Sequence, residues 1–80
     1  MNGIANMTFG DERMIDVKNR QVCPEGITVE RIKWFQGQLH EYEISVVNHA
    51  GEQIFYQNRL DANRSMALFK TKVKEYNGEV

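Results

Sequence analysis

The hydrophobic residues of this chain change their spacing at Leu60, and this change constrains the fold more than any other feature of the sequence. Between residues 32 and 56, apolar side chains largely alternate with polar ones, which is the period of a β-strand with one buried face. After Asp61 they recur every three or four residues, which is the period of an amphipathic helix. The sequence therefore predicts strands followed by a C-terminal helix.

The C-terminal segment carries the markers of a complete helix. Asp61 is a good N-cap, because its carboxylate can accept hydrogen bonds from the free amides of the first turn. Lysines in the second half suit the negative end of the helix dipole, and Gly78 provides a stop. The apolar stripe of the predicted helix consists of Ala62, Met66, Phe69, Val73 and Tyr76.

The segment VVNHAGEQIFY, residues 46 to 56, predicts a β-hairpin. Asn48 opens its turn and Gly51 follows three residues later, as in a type I turn whose last residue is left-handed. With Asn48 opposite Glu52, alternation places the apolar side chains of both strands on one face, which the helix would cover. The opposed pairs on this face are Val46 with Ile54, Ile44 with Tyr56, and Tyr42 with Asn58.

A second hairpin is predicted before it, with its turn at residues 36 to 38 and Phe35 opposite Leu39. This register adds Ile32 and Trp34 to the face that the helix would cover. On the reverse face it opposes Lys33 to Glu41 and Arg31 to Glu43. Opposite charges across neighbouring strands favour a register by about 0.2–1 kcal/mol per pair. A helix over residues 28 to 38 is the alternative for this segment.

The N-terminal part predicts weaker elements. Residues 12 to 18 alternate weakly and indicate a fourth strand, residues 7 to 9 indicate a short strand, and residues 19 to 26 indicate a loop. We therefore expect an α+β fold: an antiparallel sheet of three to five strands with a β-β-β-α core and one C-terminal helix packed on one face. Residues 1–80 form a single domain, with about 1–6 and 77–80 loosely ordered.

Enzyme chemistry needs convergent groups, and the sequence predicts none. His40 and Glu41 would lie on opposite faces of one strand, so they cannot share a metal ion or a proton. Glu41 and Glu43 share a face, but Lys33 and Arg31 are expected to neutralise them. The scattered glycines form no phosphate-binding loop. We predict a protein that is not an enzyme and has no catalytic residue, metal ion or cofactor.

Cellular location follows from simple features. Cys23 is the single cysteine, so an intramolecular disulfide is impossible and a reducing compartment is expected. No secretory signal pattern is visible at the start of the sequence, and no apolar run approaches the roughly 20 residues that span a bilayer. These features predict a cytoplasmic protein without a membrane partner. They leave the role of Cys23 and the oligomeric state open, a dimer included.

The far face of the predicted sheet is the leading candidate for a contact surface. Apolar residues stand there among charges of both signs, which is typical of a protein-binding surface. The predicted protein-binding residues are Arg31, Lys33, Phe35, Leu39, Glu41, Glu43, Phe55 and Arg59. We therefore expect a protein-binding module that inhibits or regulates a larger complex, and its small size is common among phage proteins directed against host or defence machinery. Two alternatives are that the N-terminal segment covers this face with Phe9, Met14 or Ile15, and that the sheet edges bind by strand addition.

Nucleic-acid binding is the second hypothesis, although the net charge of −1 excludes a strongly basic domain. The helix would contribute Arg64, Lys70 and Lys74, and the sheet would contribute the rings of Trp34, Phe35, Phe55 and Tyr56. Residues 42 to 76 resemble, in element order, the strand-strand-helix half of a double-stranded-RNA-binding domain. That family begins its last helix with clustered lysines, whereas this helix begins with DANRSMALFK, and the family's first helix has no counterpart here.

Overall fold

The computed structural model describes residues 14–78 and confirms the predicted α+β fold. Four strands form one antiparallel sheet in which each strand pairs with the next along the chain, and one C-terminal helix packs on one face of the sheet. The elements are β1 (Met14–Val22), β2 (Thr28–Gln36), β3 (Leu39–Val47), β4 (Gln53–Leu60) and α1 (Ala62–Tyr76). The helix considered for residues 28 to 38 does not form. The strand predicted at residues 7 to 9 lies outside the described residues.

The first strand is longer than the sequence suggested. Residues 19 to 22 were predicted to be loop, but they pair with β2 as far as Val22 opposite Thr28. The register shifts between Val17 and Asn19, so one residue is inserted into the ladder as a β-bulge. The polar residues of this stretch therefore belong to an edge strand, where hydrophilic side chains are well tolerated.

The β2–β3 hairpin differs from the predicted register by one residue. Its turn contains only Gly37 and Gln38, so Gln36 lies opposite Leu39 and Trp34 lies opposite Glu41. Gly37 has φ of 60°, the left-handed conformation that two-residue hairpin turns require. Since side chains alternate, a slip of one residue moves every side chain of β2 to the other face relative to β3. The predicted pairs Lys33–Glu41 and Arg31–Glu43 are therefore wrong.

The turn between β3 and β4 forms as predicted. The amide of Asn48 donates to the carbonyl of Glu52 at 2.9 Å, and the side-chain oxygen of Asn48 accepts from the amides of Ala50 and Glu52. Gly51 is left-handed, with φ of 87°.

The register of β4 changes immediately after this turn. Val47 lies opposite Gln53 as expected, but a β-bulge follows and Val46 pairs with Phe55. Phe55 therefore packs against the core, whereas Ile54 and Tyr56 are 42% and 45% exposed. The predicted burial of Ile54 and Tyr56 is wrong, because the inserted residue reverses the alternation beyond it.

The hydrophobic core lies between α1 and one face of the sheet. Its fully buried members are Val29, Ile44 and Val46, each 0% exposed. From the predicted helix stripe, Phe69, Val73 and Tyr76 pack against them, together with Leu68, whereas Ala62 is exposed. The helix begins as predicted, since the carboxylate of Asp61 accepts from the amide of Arg64 at 2.7 Å.

Candidate functional site

The two faces of the sheet differ in what covers them. We call the face that packs against α1 the helix face and the opposite one the far face. On the far face, β2 presents its even-numbered residues, among them Ile32 and Trp34. Most of the exposed large apolar side chains of the described chain also belong to this face, and they are Ile15, Val17, Val22, Leu39 and Tyr56.

A concave site opens at the end of the sheet that contains the β2–β3 turn. Its volume is about 140 Å³. We call it the hairpin groove, and its lining consists of Trp34, Phe35, Gln36, Leu39, Glu41, Tyr42, Glu43, Tyr56, Asn58 and Arg59. The β4 side of the groove is irregular, because the register shifts between Tyr42 and Ile44 and Arg59 has φ of 60°. Regular pairing is interrupted beside the groove and resumes at Tyr42 opposite Leu60.

The groove combines aromatic rings with carboxylates. Glu43 is 6% exposed, and its Oε1 accepts a hydrogen bond of 2.7 Å from the hydroxyl of Tyr56. Glu41 is half-buried two residues away on the same strand face. The groove therefore combines ring surface with the carboxylates of Glu41 and Glu43 and the guanidinium of Arg59.

The structure brings part of the predicted protein-binding set into this groove. Phe35, Leu39, Glu41, Glu43 and Arg59 line it together. Arg31, Lys33 and Phe55 do not line it, and the one-residue changes of register place all three on the helix face, which Phe35 shares. The single face predicted for the whole set is therefore wrong.

The side chain of Arg31 makes structural hydrogen bonds within the protein. It is 8% exposed, and its guanidinium donates to the hydroxyl of Ser65 at 2.8 Å, to the side-chain oxygen of Asn19 at 2.9 Å and to the carbonyl of Ala62 at 3.2 Å. It also lies over the ring of Tyr42, 4.4 Å from the centroid. This side chain ties β1 and the start of α1 to the middle of the sheet.

Lys33 and Phe55 also make contacts on the helix face. The ammonium of Lys33 lies 4.7 Å from the centroid of Phe35. The ammonium of Lys72 lies 3.9 Å from the centroid of Phe55, whose ring packs against the core. Phe55 is therefore part of the packing between helix and sheet.

Trp34 and Tyr56 line the groove, whereas the predicted strand registers place them on the face that the helix covers. Trp34 was assigned wrongly because the predicted turn had three residues, 36 to 38, and Tyr56 was assigned wrongly because the predicted register lacked the β-bulge between Val46 and Val47. A glycine at the first position of a two-residue hairpin loop is itself a recognised signal, and Gly37–Gln38 carries it. A two-residue turn gives the observed pairing of Trp34 with Glu41.

The residues predicted for nucleic-acid binding lie elsewhere. Arg64, Lys70 and Lys74 are exposed on α1, which packs on the helix face. Trp34 and Tyr56 are on the far face, so these rings and the basic helix residues do not form one continuous surface. Two of the four predicted rings, Trp34 and Tyr56, are therefore separated from the basic helix residues, whereas Phe35 and Phe55 lie on the helix face.

No catalytic constellation emerges within residues 14–78. Over this range, no group of three or more His, Cys, Asp or Glu side chains could hold a metal ion. Cys23 is 4% exposed, and burial raises the pKa of its thiol. The thiol is therefore protonated at neutral pH and shielded from reagents. The described helix is not long and apolar enough to cross a membrane.

The fold and groove define a small α+β domain with a four-stranded antiparallel meander and a concave site at one end of its far face. No protein-family model matches the chain, and neither a curated protein nor a solved structure matches it.

Proposed function

We propose that this protein is a non-enzymatic binding module for another protein and that the hairpin groove is the centre of its contact surface. The observation that carries the proposal is the concentration of exposed apolar side chains on the far face, next to a groove with aromatic walls. Apolar and aromatic surface with charged groups at its edge is typical of protein interfaces.

A binding module of this kind would act by occupying a surface of its partner protein. It would thereby inhibit or regulate the complex that it contacts. A reducing, cytoplasmic setting fits the single buried thiol and completes the proposal. Nucleic-acid binding through Arg64, Lys70 and Lys74 stays the second hypothesis. It would use the exposed side of α1 rather than the groove.

The test is affinity capture with a matched pair of variants. Leu39 in the groove is 54% exposed, and Val22 at the other end of the far face is 57% exposed. They pair with opposite ends of β2, roughly 26 Å apart along the strand. We expect Leu39→Ser to lose the captured protein and Val22→Ser to retain it, with both variants folded by circular dichroism.

A salt series separates the two hypotheses. Affinity that depends on phosphate contacts falls about 10³- to 10⁵-fold between 50 and 200 mM salt when several phosphates are contacted. An apolar groove should respond far less. Capture that survives Leu39→Ser, or that disappears with nuclease and with Lys70→Glu plus Lys74→Glu, would overturn the proposed protein-binding function.

A further inference from the structure

We propose that a second contact surface lies between α1 and β4 and binds an extended segment of a partner protein with an acidic and an apolar side chain two residues apart. This surface is a cleft of about 400 Å³ on the helix face. We call it the helix cleft, and its lining consists of Gln57, Leu60, Arg64, Ala67, Leu68 and Thr71. It shares no lining residue with the hairpin groove, so the inference goes beyond the proposed function and does not depend on it.

The position of α1 on the sheet creates the helix cleft. The helix packs mainly against β2 and β3, so β4 lies to one side of it. Within residues 14–78, β4 has no neighbouring strand on its outer edge. The most buried parts of the lining are Leu60, which is 7% exposed, and the half-buried Leu68, while the small side chain of Ala67 is exposed between them and solvent. An extended segment beside an edge strand is a common mode of peptide recognition.

The charge of the cleft indicates what it would bind. Arg64 is the only charged residue among those that line it, and no ion pair within residues 14–78 involves Arg64. The carboxylate of Asp61, at the same end of the helix, accepts the amide hydrogen bond that caps α1. The hydroxyl of Thr71 donates to the carbonyl of Ala67 at 3.0 Å, so this polar group is satisfied within the helix. An apolar side chain near a carboxylate complements apolar surface beside one positive charge.

The spacing along the helix indicates the conformation of the bound segment. Arg64 and Leu68 are four residues apart, which is about 6 Å along a helix axis. Alternate side chains of an extended chain point to one face and are about 7 Å apart. A segment with an acidic residue and a leucine two positions apart would therefore place both side chains in the cleft together. Directly adjacent residues would point to opposite faces and could not.

The experiment uses three synthetic threonine-rich peptides with blocked ends. The acidic peptide has a central leucine with a glutamate two residues to either side, so that it fits in both directions. The neutral peptide has glutamine in place of each glutamate, and the reordered peptide has its glutamates directly adjacent to the leucine. Each is titrated into the isotope-labelled full-length protein, and the amide NMR signals of Ala67 and Thr71 report on the cleft. We expect the acidic peptide to bind about two- to fivefold more tightly than either of the others, which is the range of an exposed ion pair.

Variants of α1 locate the effect. Arg64→Gln should remove the preference for the acidic over the neutral peptide, and Lys70→Gln is the matched control, since Lys70 is exposed on the same helix but does not line the cleft. Ala67→Gln adds a longer neutral side chain within the cleft and should weaken both peptides. Glutamine is a good helix former, so all three variants are expected to fold. Equal binding of the acidic and neutral peptides, binding of neither, or equal effects at positions 64 and 70 would overturn the proposal.

The remaining outcomes concern other occupants of the cleft. If a single-stranded DNA oligonucleotide shifts the same amide signals and Arg64→Gln removes this shift, Arg64 contacts phosphate and the proposal is overturned. If sedimentation shows a dimer that Ala67→Gln dissociates, a second copy is the occupant, with the same consequence. If Phe9→Ser shifts these signals in the free protein, the N-terminal segment is the occupant and the proposal also fails. Leu39→Ser should leave peptide binding unchanged, so failure of this inference is distinguishable from failure of the proposed function.

Discussion

The two faces of the sheet are built from the same four strands, yet one is closed by a helix and the other exposes large apolar side chains. On the helix face Val29, Ile44 and Val46 are 0% exposed, whereas on the far face Ile15 and Leu39 are 58% and 54% exposed. Within residues 14–78, one α-helix is present to cover two apolar surfaces. Apolar alternation alone therefore does not distinguish a buried face from an exposed one.

The sharpest test of this difference replaces isoleucine on each face. Ile44→Ala should cost about 2–5 kcal/mol of unfolding free energy, because it leaves a cavity in the core. Ile15→Ala should stay within about 0.5 kcal/mol. Urea unfolding measures both values. If Ile44→Ala does not fold, Ile44→Val should still cost about 0.5–1.5 kcal/mol. Equal costs at positions 44 and 15 would mean that the far face is also core.

The two arginines of neighbouring strands provide the next comparison. Arg31→Met leaves the buried Ser65 and the half-buried Asn19 without their donor, so we expect a loss of about 1–3 kcal/mol. Arg20→Met removes an exposed ion pair with Glu30 and should cost about 0–1 kcal/mol. Chemical denaturation at low and high salt gives both numbers. A larger loss for Arg20 would contradict the structural role of Arg31.

A substitution of the N-cap residue Asp61 tests how much the cap stabilises α1, the helix that covers the helix face. Asp61→Ala removes the hydrogen bond to the amide of Arg64 and should cost about 0.5–2 kcal/mol. Asp61→Asn keeps an acceptor and should cost less. Far-ultraviolet circular dichroism during thermal unfolding measures the loss. Identical stabilities of the alanine and asparagine variants would show that the cap contributes nothing.

The smallest expected effect is a pH dependence from Cys23. Burial raises the pKa of this thiol above the ordinary value of 9.0, so the unfolded chain loses the proton first as pH rises. The stability that the buried neutral thiol contributes is complete below pH 9.0 and is lost as pH rises through the folded-state pKa. The difference in unfolding free energy between the native sequence and Cys23→Ala should therefore shrink above this pH. A difference that stays constant up to pH 11 would contradict burial of the thiol.

The elements marked by residues close in sequence could be predicted, whereas the face of the sheet on which each side chain lies could not. The cap at Asp61, the helix stripe through Phe69 and the turn at Asn48 depend on residues close in sequence, and all of them form. The β-bulge after Val47 and the short turn at Gly37 change the register by one residue each. Because side chains alternate, such a slip exchanges the two faces, and this is why Trp34 was assigned to the core and Arg31 to the surface.

This exchange also explains how much of the candidate site could be foreseen. Leu39, Glu41 and Glu43 were predicted on the correct face, because they lie on β3 and the registers of both hairpins were counted from this strand. The residues of β2 and β4 were placed relative to β3 through the two turns, so the errors of register carried Arg31, Lys33 and Phe55 to the wrong side. The Gly37–Gln38 turn is a local signal for the register of β2, whereas the β-bulge in β4 is visible only in the pairing of the strands.

The direction of the Trp34 side chain tests the central claim most directly, because the groove exists only if this ring lies on the far face. Nuclear Overhauser effects between the indole protons and neighbouring side chains measure it. The account predicts contacts with Ile15, its cross-strand partner, and none with Phe69 of the helix. Contacts between the indole and Phe69 or Val73 would place Trp34 in the core and remove the groove.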